Sequence, residues 1–454
     1  MFGTSGVRGD LEKVSPELLQ GVGRATGKLS SKDRVMVGRD GRLTSESLSR
    51  AVVSGVQASG TDVVDLGVVP THVLAFAARE LEGWGLMVTA SHNPRIDNGV
   101  KVFRETGEEA GPQAEALIEE NVRDPKTAVT REWGGVEERK VLSQYLNEAE
   151  GYVREFFDGE LASRGYGSHT RSDSPKVAVD CGNGVGSLTT LPLLEMTGCK
   201  VIGFNDNVDG YFPGRRSKPT ENSLTDFKRF VRRRDFDFGF AHDGDVDRIV
   251  VVDSDGELVH EDAVLAAIAR RAVSQSSVDE PRVLTTPNTS SSIDRVVEEH
   301  GGYVERAPLG GLARNLTPDT VLAAEPWKHM FPEFGGWIDG SVSAVVLSGM
   351  LANHGVEDLF SGLRDIDVSK TNVDCPEEFK EDLVLEAGSR LRTEFTDAEV
   401  STDYGVRLDY PNGDWVLVRP SGTEPLMRIY VEGRQELEYE AVELVGQALE
   451  DLFD

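Results

Sequence analysis

The sequence predicts an α/β protein: three similar α/β domains with mixed sheets around a central cleft, followed by a smaller C-terminal α+β domain. Three observations lead there. One order of elements recurs three times. Its strands are continuous apolar runs separated by helical patterns, and the last stretch of chain abandons that order. At 454 residues the chain is also too long for a single core.

The first copy opens with "RVMVGRD" (34–40), a buried-strand pattern, and a polar turn leads into "SESLSRAVVSGVQASG", helical up to Gly60. "DVVDLG" is the second strand and "GLMVTASHNP" carries the third. The second copy runs "KVAVDCGN", "SLTTLPLLEMTG", "KVIGFN" and "DFGFAHDGDVDR"; the third runs "RVLTTPN", "SSIDRVVEEHG", "YVERAPLG" and "VLAAEPWKHM". Repeats of about a hundred residues are too large for a solenoid and are expected to be separate domains. From about Asn372 the pattern changes: "DYGVRLDY", "DWVLVRPS" and "LMRIYVEG" read as a meander, and "ELEYEAVELVGQALEDLF" as a terminal helix. The expected domains are 1–140, 141–250, 251–367 and 368–454. In each repeat the last strand ends in a polar cluster: Ser91 and His92, then Asp243, Asp245 and Asp247, then Glu325 and His329. Sites in open α/β sheets form at the carboxyl ends of strands, so domains facing one cleft would bring these clusters together.

Composition narrows the function classes. The 78 acidic and 48 basic residues give a formal net charge of -30, and only 13 of the basic residues are lysines. Such a field repels nucleic acid and anionic membranes, so neither is expected as a partner. An acid excess with scarce lysine suits a cytosol at molar salt, where the Debye length falls to about 3 Å, and a halophilic source is expected. No apolar run reaches the length of a membrane span, and "MFGTSGVRG" lacks the basic and apolar stretches of a signal peptide. Cys181, Cys199 and Cys375 suit neither a disulfide framework nor a zinc site. A cytoplasmic protein is expected.

"DGDVDR" (243–248) is the strongest single motif. Three carboxylates at alternate positions of an extended segment would point to one side and repel one another unless a cation joined them. Three monodentate oxygens without nitrogen or thiolate suit Mg²⁺, one per chain, with positions left for phosphate and water. Taken alone, Ser91 reads as a turn serine before Asn-Pro. Beside a Mg²⁺ site it suggests phosphoryl transfer, and a phosphate on Ser91 would give the metal a further oxygen. Lys101 follows ten positions later, as proton carrier, phosphate contact or simply a solvated strand lysine. His92 is equally a structural hydrogen-bonder or a catalyst. "RPSGTEP" (419–425) reads as an anion cradle of Arg419, Ser421, Gly422 and Thr423, and "GTSGVRG" with Arg8 is of the same kind. "GRDGR" and "DCGNG" read as structural turns.

"FGTSGVRG", "VTASHNP", "DGDVDR" and "RPSGTEP", in that order and end to end, resemble the α-D-phosphohexomutases, the group that includes phosphoglucomutase/phosphomannomutase and phosphoglucosamine mutase. The resemblance implies a TBP-like fourth domain, a phosphoserine at Ser91 and Mg²⁺ held by Asp243, Asp245 and Asp247. It places Arg8, Lys101 and Arg248 near the transferring phosphate, and Arg419, Ser421, Gly422, Thr423 and Arg428 around the substrate's other phosphate. The implied partner is a small phosphosugar and the implied activator a sugar bisphosphate, on a monomer or homodimer. The expected reaction interconverts sugar 1-phosphate and 6-phosphate; the alternatives are a phosphopentomutase, a phosphoserine-dependent sugar phosphatase and an inactive sugar-phosphate binder. The third-domain loop departs from the family's G-E-x-S-G-H: "AEPWKH" (324–329) keeps Glu325 and His329 but has Trp327 for the serine and Lys328 for the glycine. Trp327 would stack on a sugar face or pack against "MFPEFGGW", and Lys328 would contact phosphate.

Overall fold

The structure, a computed structural model, describes residues 1–3, 6–123, 132–157, 174–363, 366–395, 397–421 and 425–453. Its first sheet contains β1 (Val7–Gly9), β2 (Arg34–Arg39), β3 (Asp62–Val68), β4 (Trp84–Val88), β5 (Asn98–Phe103) and β6 (Val136–Glu138), in the order β1-β5-β4-β2-β3-β6. The second contains β7 (Lys176–Asp180), β8 (Lys200–Phe204), β9 (Phe238–His242) and β10 (Ile249–Asp253), in the order β10-β9-β7-β8. The third contains β11 (Arg282–Thr285), β12 (Tyr303–Arg306), β13 (Thr320–Glu325) and β14 (Lys328–Met330), in the order β12-β11-β13-β14.

These three sheets share one plan. The central strand (β2, β7 or β11) pairs in parallel with the next two strands of its repeat. An antiparallel strand (β5, β10 or β14) then turns back along the second of those. The triple recurrence in the sequence is thus a recurrence of topology, with mixed sheets as expected. The turn between that second strand and its antiparallel neighbour is where Ser91, the aspartates and Trp327 fall, so one topological position supplies all three clusters.

The chain past the third sheet is α+β: β15 (Val368–Asp374), β16 (Glu399–Ser401), β17 (Val406–Asp409), β18 (Trp415–Pro420) and β19 (Leu426–Glu432) form an antiparallel sheet, order β15-β19-β18-β17-β16. Helices Lys380–Glu394 and Gln435–Phe453 cover it. The meander of the last three strands was legible in the sequence. The pairing of β15 with β19 was not, because it joins segments far apart in the chain.

One apolar cluster runs through all three α/β units. Helix Leu142–Phe156 supplies Tyr145, Tyr152 and Phe156 to it, and Tyr152 stacks on Phe334 at 5.2 Å between ring centroids. The units therefore share their interior rather than merely touching, which fixes the geometry of the cleft between them. Among the described residues no helix is long and apolar enough to cross a membrane.

Candidate active site

Strand β4 ends at Val88, and the chain turns through "TASHNP" and returns as β5, with Met87 opposite Lys101. Ser91 and Lys101 therefore reach the same end of the sheet although ten residues separate them. Ser91 is fully buried and adopts a left-handed φ of 51°. A non-glycine residue there stores about 1–3 kcal/mol of strain, which the surroundings must hold in place.

Arg42, 1% exposed, does much of that holding. Its Nη2 donates to the carbonyls of Ser91 (2.7 Å) and Asn93 (2.9 Å), its Nη1 to those of Pro94 (2.6 Å) and Asp97 (3.0 Å), and its Nε to Asp40 Oδ2 (3.1 Å). All five N–H donors of the guanidinium are thereby used. Ser217 Oγ also donates to the Ser91 carbonyl, at 2.9 Å, and Thr89 Oγ1 accepts from the Ser91 N–H, at 2.9 Å. The sequence left "GRDGR" as a structural turn; the folded chain makes it the brace of the serine loop. An ammonium cannot reproduce the fork. Arg42→Lys is therefore expected to lower turnover about 10²-fold with KM little changed, the cost of a misplaced reacting group, as steady-state kinetics would show.

The "DGDVDR" segment is a turn in the structure, not the extended run expected, and Val246 adopts φ 65°. The carboxylates converge because the turn folds around them, not through strand alternation. Gly244 has to be small: a Cβ there would come within 2.8 Å of the Ser91 carbonyl oxygen and 2.9 Å of Ser217 Oγ. The result is close packing of serine against aspartates, with Ser91 Oγ 2.7 Å from Asp243 Oδ2 and 3.3 Å from Asp247 Oδ1. Lys101 Nζ donates to Asp245 Oδ2 and Asp247 Oδ2, both at 2.8 Å, and Thr71 Oγ1 donates to Asp245 Oδ2 at 2.6 Å. Thr71 was not anticipated, since nothing in "VVPTHV" marks a hydroxyl that pairs across 174 positions of chain.

The electrostatics follow from burial. Burial and the neighbouring Asp247 and Asp245 push the Asp243 carboxyl well above the usual range. Burial would also raise Asp247, yet Lys101, Lys328 and Arg248 together hold it well below. For Lys101, burial opposes the charge but Asp245 and Asp247 outweigh it, so the ammonium is retained more firmly than in water. A cation fits here. One oxygen from each of the three aspartates lies within 4.8 Å of the others, and Asp245 Oδ1 is buried without a hydrogen-bond partner. An all-oxygen donor set of this kind suits a hard divalent ion.

Around this centre, Arg8 lies on β1 opposite Gly99, and the Arg248 backbone N–H donates to Asp243 Oδ1 at 3.2 Å. Burial and the charges of Arg248, Arg8 and Lys328 drive His92 down to about 2, so it stays neutral at 3.4 Å from Ser91 Oγ. A cleft of about 600 Å³ opens beside these groups, lined by Lys101, Glu109, Asp247, Arg314, Glu325 and Lys328 among others. Glu325 Oε1 accepts from the Gly310 N–H at 2.8 Å.

Two residues expected at the sugar lie elsewhere. Trp327 neither faces the cleft nor joins "MFPEFGGW"; its ring packs on the second unit's cluster around Leu224, Phe227 and Val250, because the Pro326–Trp327 turn abuts β10. His329 points into the interior, 1% exposed, with Nδ1 3.2 Å from Ser343 Oγ. Burial drops the His329 pKa to about 3. The unfolded chain then binds more protons below about 6.5, so this histidine contributes stability above that pH that is lost as pH falls toward 3. His329→Gln is expected to flatten the acid side of a urea-stability profile across that window by up to one proton.

In the C-terminal domain Arg419 and Arg428 face each other across β18 and β19, and Arg419 lies 5.9 Å from the Tyr430 ring centroid. Ser421 is 2% exposed, and its carbonyl accepts from Lys380 Nζ at 2.7 Å. Gly422 and Thr423 lie outside the described residues, as do Thr4 and Ser5 of the N-terminal motif. None of Arg419, Ser421 and Arg428 lines the 600 Å³ cleft. The domain meets the third unit through Glu432, which accepts from the Ser291 N–H at 2.8 Å, and through Tyr404 OH, which donates to the Arg306 carbonyl at 3.1 Å.

Comparison with known proteins gives the class first. Residues 1–128 match the model for phosphoglucomutase/phosphomannomutase α/β/α domain I, residues 151–256 that for domain II, and residues 371–446 that for the C-terminal domain. The chain belongs to the phosphoglucomutase/phosphomannomutase family. Individual relatives differ in their named substrate. A phosphopentomutase of Thermococcus kodakarensis is 38% identical, over 96% of this chain and 94% of its own. A probable phosphoglucosamine mutase of Methanopyrus kandleri is 37% identical over 99% of both. A solved phosphoglucomutase/phosphomannomutase family protein from Burkholderia thailandensis superposes with a TM-score of 0.82 at 26% identity, covering 99% of this chain and 97% of that one.

Proposed function

We propose that this chain is a phosphosugar mutase that interconverts sugar 1-phosphate and 6-phosphate through a phosphoserine at Ser91 and a bound bisphosphate. The observation that supports it most directly is a buried serine hydroxyl in contact with two of three clustered carboxylates, beside a lysine held as an ammonium. We read the chain as four domains, 1–140, 141–250, 251–367 and 368–454, with the first three built on the shared sheet plan. Asp243, Asp245 and Asp247 would hold Mg²⁺, which when bound neutralises charge on the transferring group.

In the first half-reaction the P–Oγ bond of phospho-Ser91 breaks as phosphorus bonds to a free hydroxyl oxygen of the sugar monophosphate. The proton from that hydroxyl ends on Ser91 Oγ. The bisphosphate turns over in the cleft and the second half-reaction runs the same exchange backwards with its other phosphate. Lys101 stands by as charge partner and proton donor rather than as a resting base, since its carboxylate neighbours keep it protonated. Arg8 and Arg248 add positive field at the serine. Glu325 would accept from sugar hydroxyls, while Arg419, Ser421, Gly422, Thr423 and Arg428 would hold the phosphate that is not being transferred.

A pentose phosphate is the second reading of the substrate, favoured by the 38% identical phosphopentomutase and by the altered "AEPWKH" loop. The test is a panel of glucose, mannose, glucosamine, N-acetylglucosamine and ribose 1-phosphates, each with Mg²⁺ and its bisphosphate, followed by ³¹P NMR with and without molar KCl. One sugar is expected to convert to its isomeric monophosphate, and EDTA to stop it. Release of inorganic phosphate alone would overturn the mutase reading in favour of a phosphatase. The acid excess supports adaptation to salt, in which case urea stability rises with KCl.

A further inference from the structure

The hairpin that joins β13 to β14 sets Glu325 directly opposite Lys328 across the turn Pro326–Trp327. Trp327 adopts φ 71°, a left-handed value that a bulky side chain takes at a cost of about 1–3 kcal/mol. Two anchors hold it there: its carbonyl accepts from the Ile249 N–H at 2.9 Å, and its ring is packed on the apolar cluster of the second unit. With Trp327 pinned to that unit, Lys328 lines the cleft.

Lys328 Nζ lies 3.7 Å from Asp247 Oδ2 and 3.9 Å from Glu325 Oε2. Both distances exceed a hydrogen bond, so the ammonium is attracted to both carboxylates without being tied to either. Asp247 Oδ1 is in turn 3.3 Å from Ser91 Oγ, which leaves one carboxylate between Lys328 and the serine. Lys328 also contributes, with Arg248 and Arg8, to the positive field at His92 beside that serine. The local charge points the same way: Lys328 adds one positive charge to the field that Arg8 and Arg248 set up beside the serine, and a neutral side chain would remove it.

Resting on the mutase reading above, we propose that Lys328 is a catalytic residue, its ammonium contacting the non-bridging oxygens of the phosphoryl group as that group moves between Ser91 and the sugar. No bond to Lys328 forms or breaks; it compensates charge spread over those oxygens.

The experiment is single-turnover phosphorylation of Ser91 by α-glucose 1,6-bisphosphate with Mg²⁺, read by intact mass, for the wild type, Lys328→Met, Lys328→Gln and Lys328→Arg. The neutral variants are expected to slow the saturating rate about 10²-fold while half-saturation moves less than about threefold, and Lys328→Arg to stay within about tenfold of wild type. Two neutral variants guard against one that fails to fold, which a urea profile would reveal. A wild-type rate in both neutral variants would overturn the proposal. So would a change confined to half-saturation, the signature of a contact to sugar hydroxyls. Phosphorylation is read without isomerisation, so a wild type that phosphorylates Ser91 but isomerises no sugar sinks only the mutase reading. A wild type that phosphorylates Ser91 neither with this donor nor with ribose 1,5-bisphosphate sinks both.

Discussion

Ser91→Ala abolishes isomerisation of whichever sugar phosphate the wild type converts, by at least about 10⁴-fold, and no phosphoenzyme forms. Ser91 Oγ is the hydroxyl that meets both Asp243 and Asp247, whereas Lys101 is an ammonium and the half-buried His92 lies 3.4 Å away. Removing a nucleophile costs orders of magnitude more than removing a group that merely binds. Stability should barely respond. The hydroxyl gives up one hydrogen bond of 2.7 Å to Asp243, a net loss of about 1 kcal/mol, while the φ of 51° is as awkward for alanine as for serine. ³¹P NMR of the turnover, intact mass and a urea titration measure the three effects. Residual turnover within tenfold of wild type would mean that the phosphoryl group travels without Ser91 and would sink the covalent route.

Lys101→Met is expected to lower kcat about 10²–10⁴-fold, because the variant lacks both a proton donor and a charge partner at the transferring group. Its effect on folding is separable. Lys101 Nζ bridges Asp245 and Asp247 at 2.8 Å in a site where all three groups are nearly inaccessible to water. Removing one partner of a buried ion pair leaves uncompensated charge and typically costs about 3–5 kcal/mol. The remedy is another cation, so Mg²⁺ should restore a larger share of stability to Lys101→Met than it adds to the wild type. Urea midpoints with EDTA and with Mg²⁺ give the comparison. If the metal-free variant were as stable as wild type, Lys101 would not be the counterion that the geometry makes it.

What could be read before folding was what is written locally. The three strand–helix repeats, the meander of "DYGVRLDY", "DWVLVRPS" and "LMRIYVEG", and the polar clusters at strand ends all rest on short-range periodicity and on turn residues. They were legible because hydrophobic alternation and strand-ending polar runs are properties of a few consecutive positions. The carboxylates of "DGDVDR" were legible as a group for the same reason, since three acids within five positions stay near one another wherever the chain goes. Their conformation was not: the segment is a tight turn around Val246, with the Ser91 carbonyl and the Ser217 hydroxyl close against Gly244.

The sequence by itself determined the repeat plan, the identity of the chemical groups and the family to which they belong. Only the tertiary structure decided which of those groups meet. Arg42 braces the serine loop and Thr71 orients Asp245 through contacts that span tens to hundreds of chain positions. Trp327 and His329, two and four residues past Glu325, turn away from the cleft while Lys328 between them enters it. That division is physical. Local propensity fixes where strands end, but the direction of a side chain past a strained turn is set by the surfaces that pack on either side of it: the second unit's cluster for Trp327 and Ser343 of its own unit for His329.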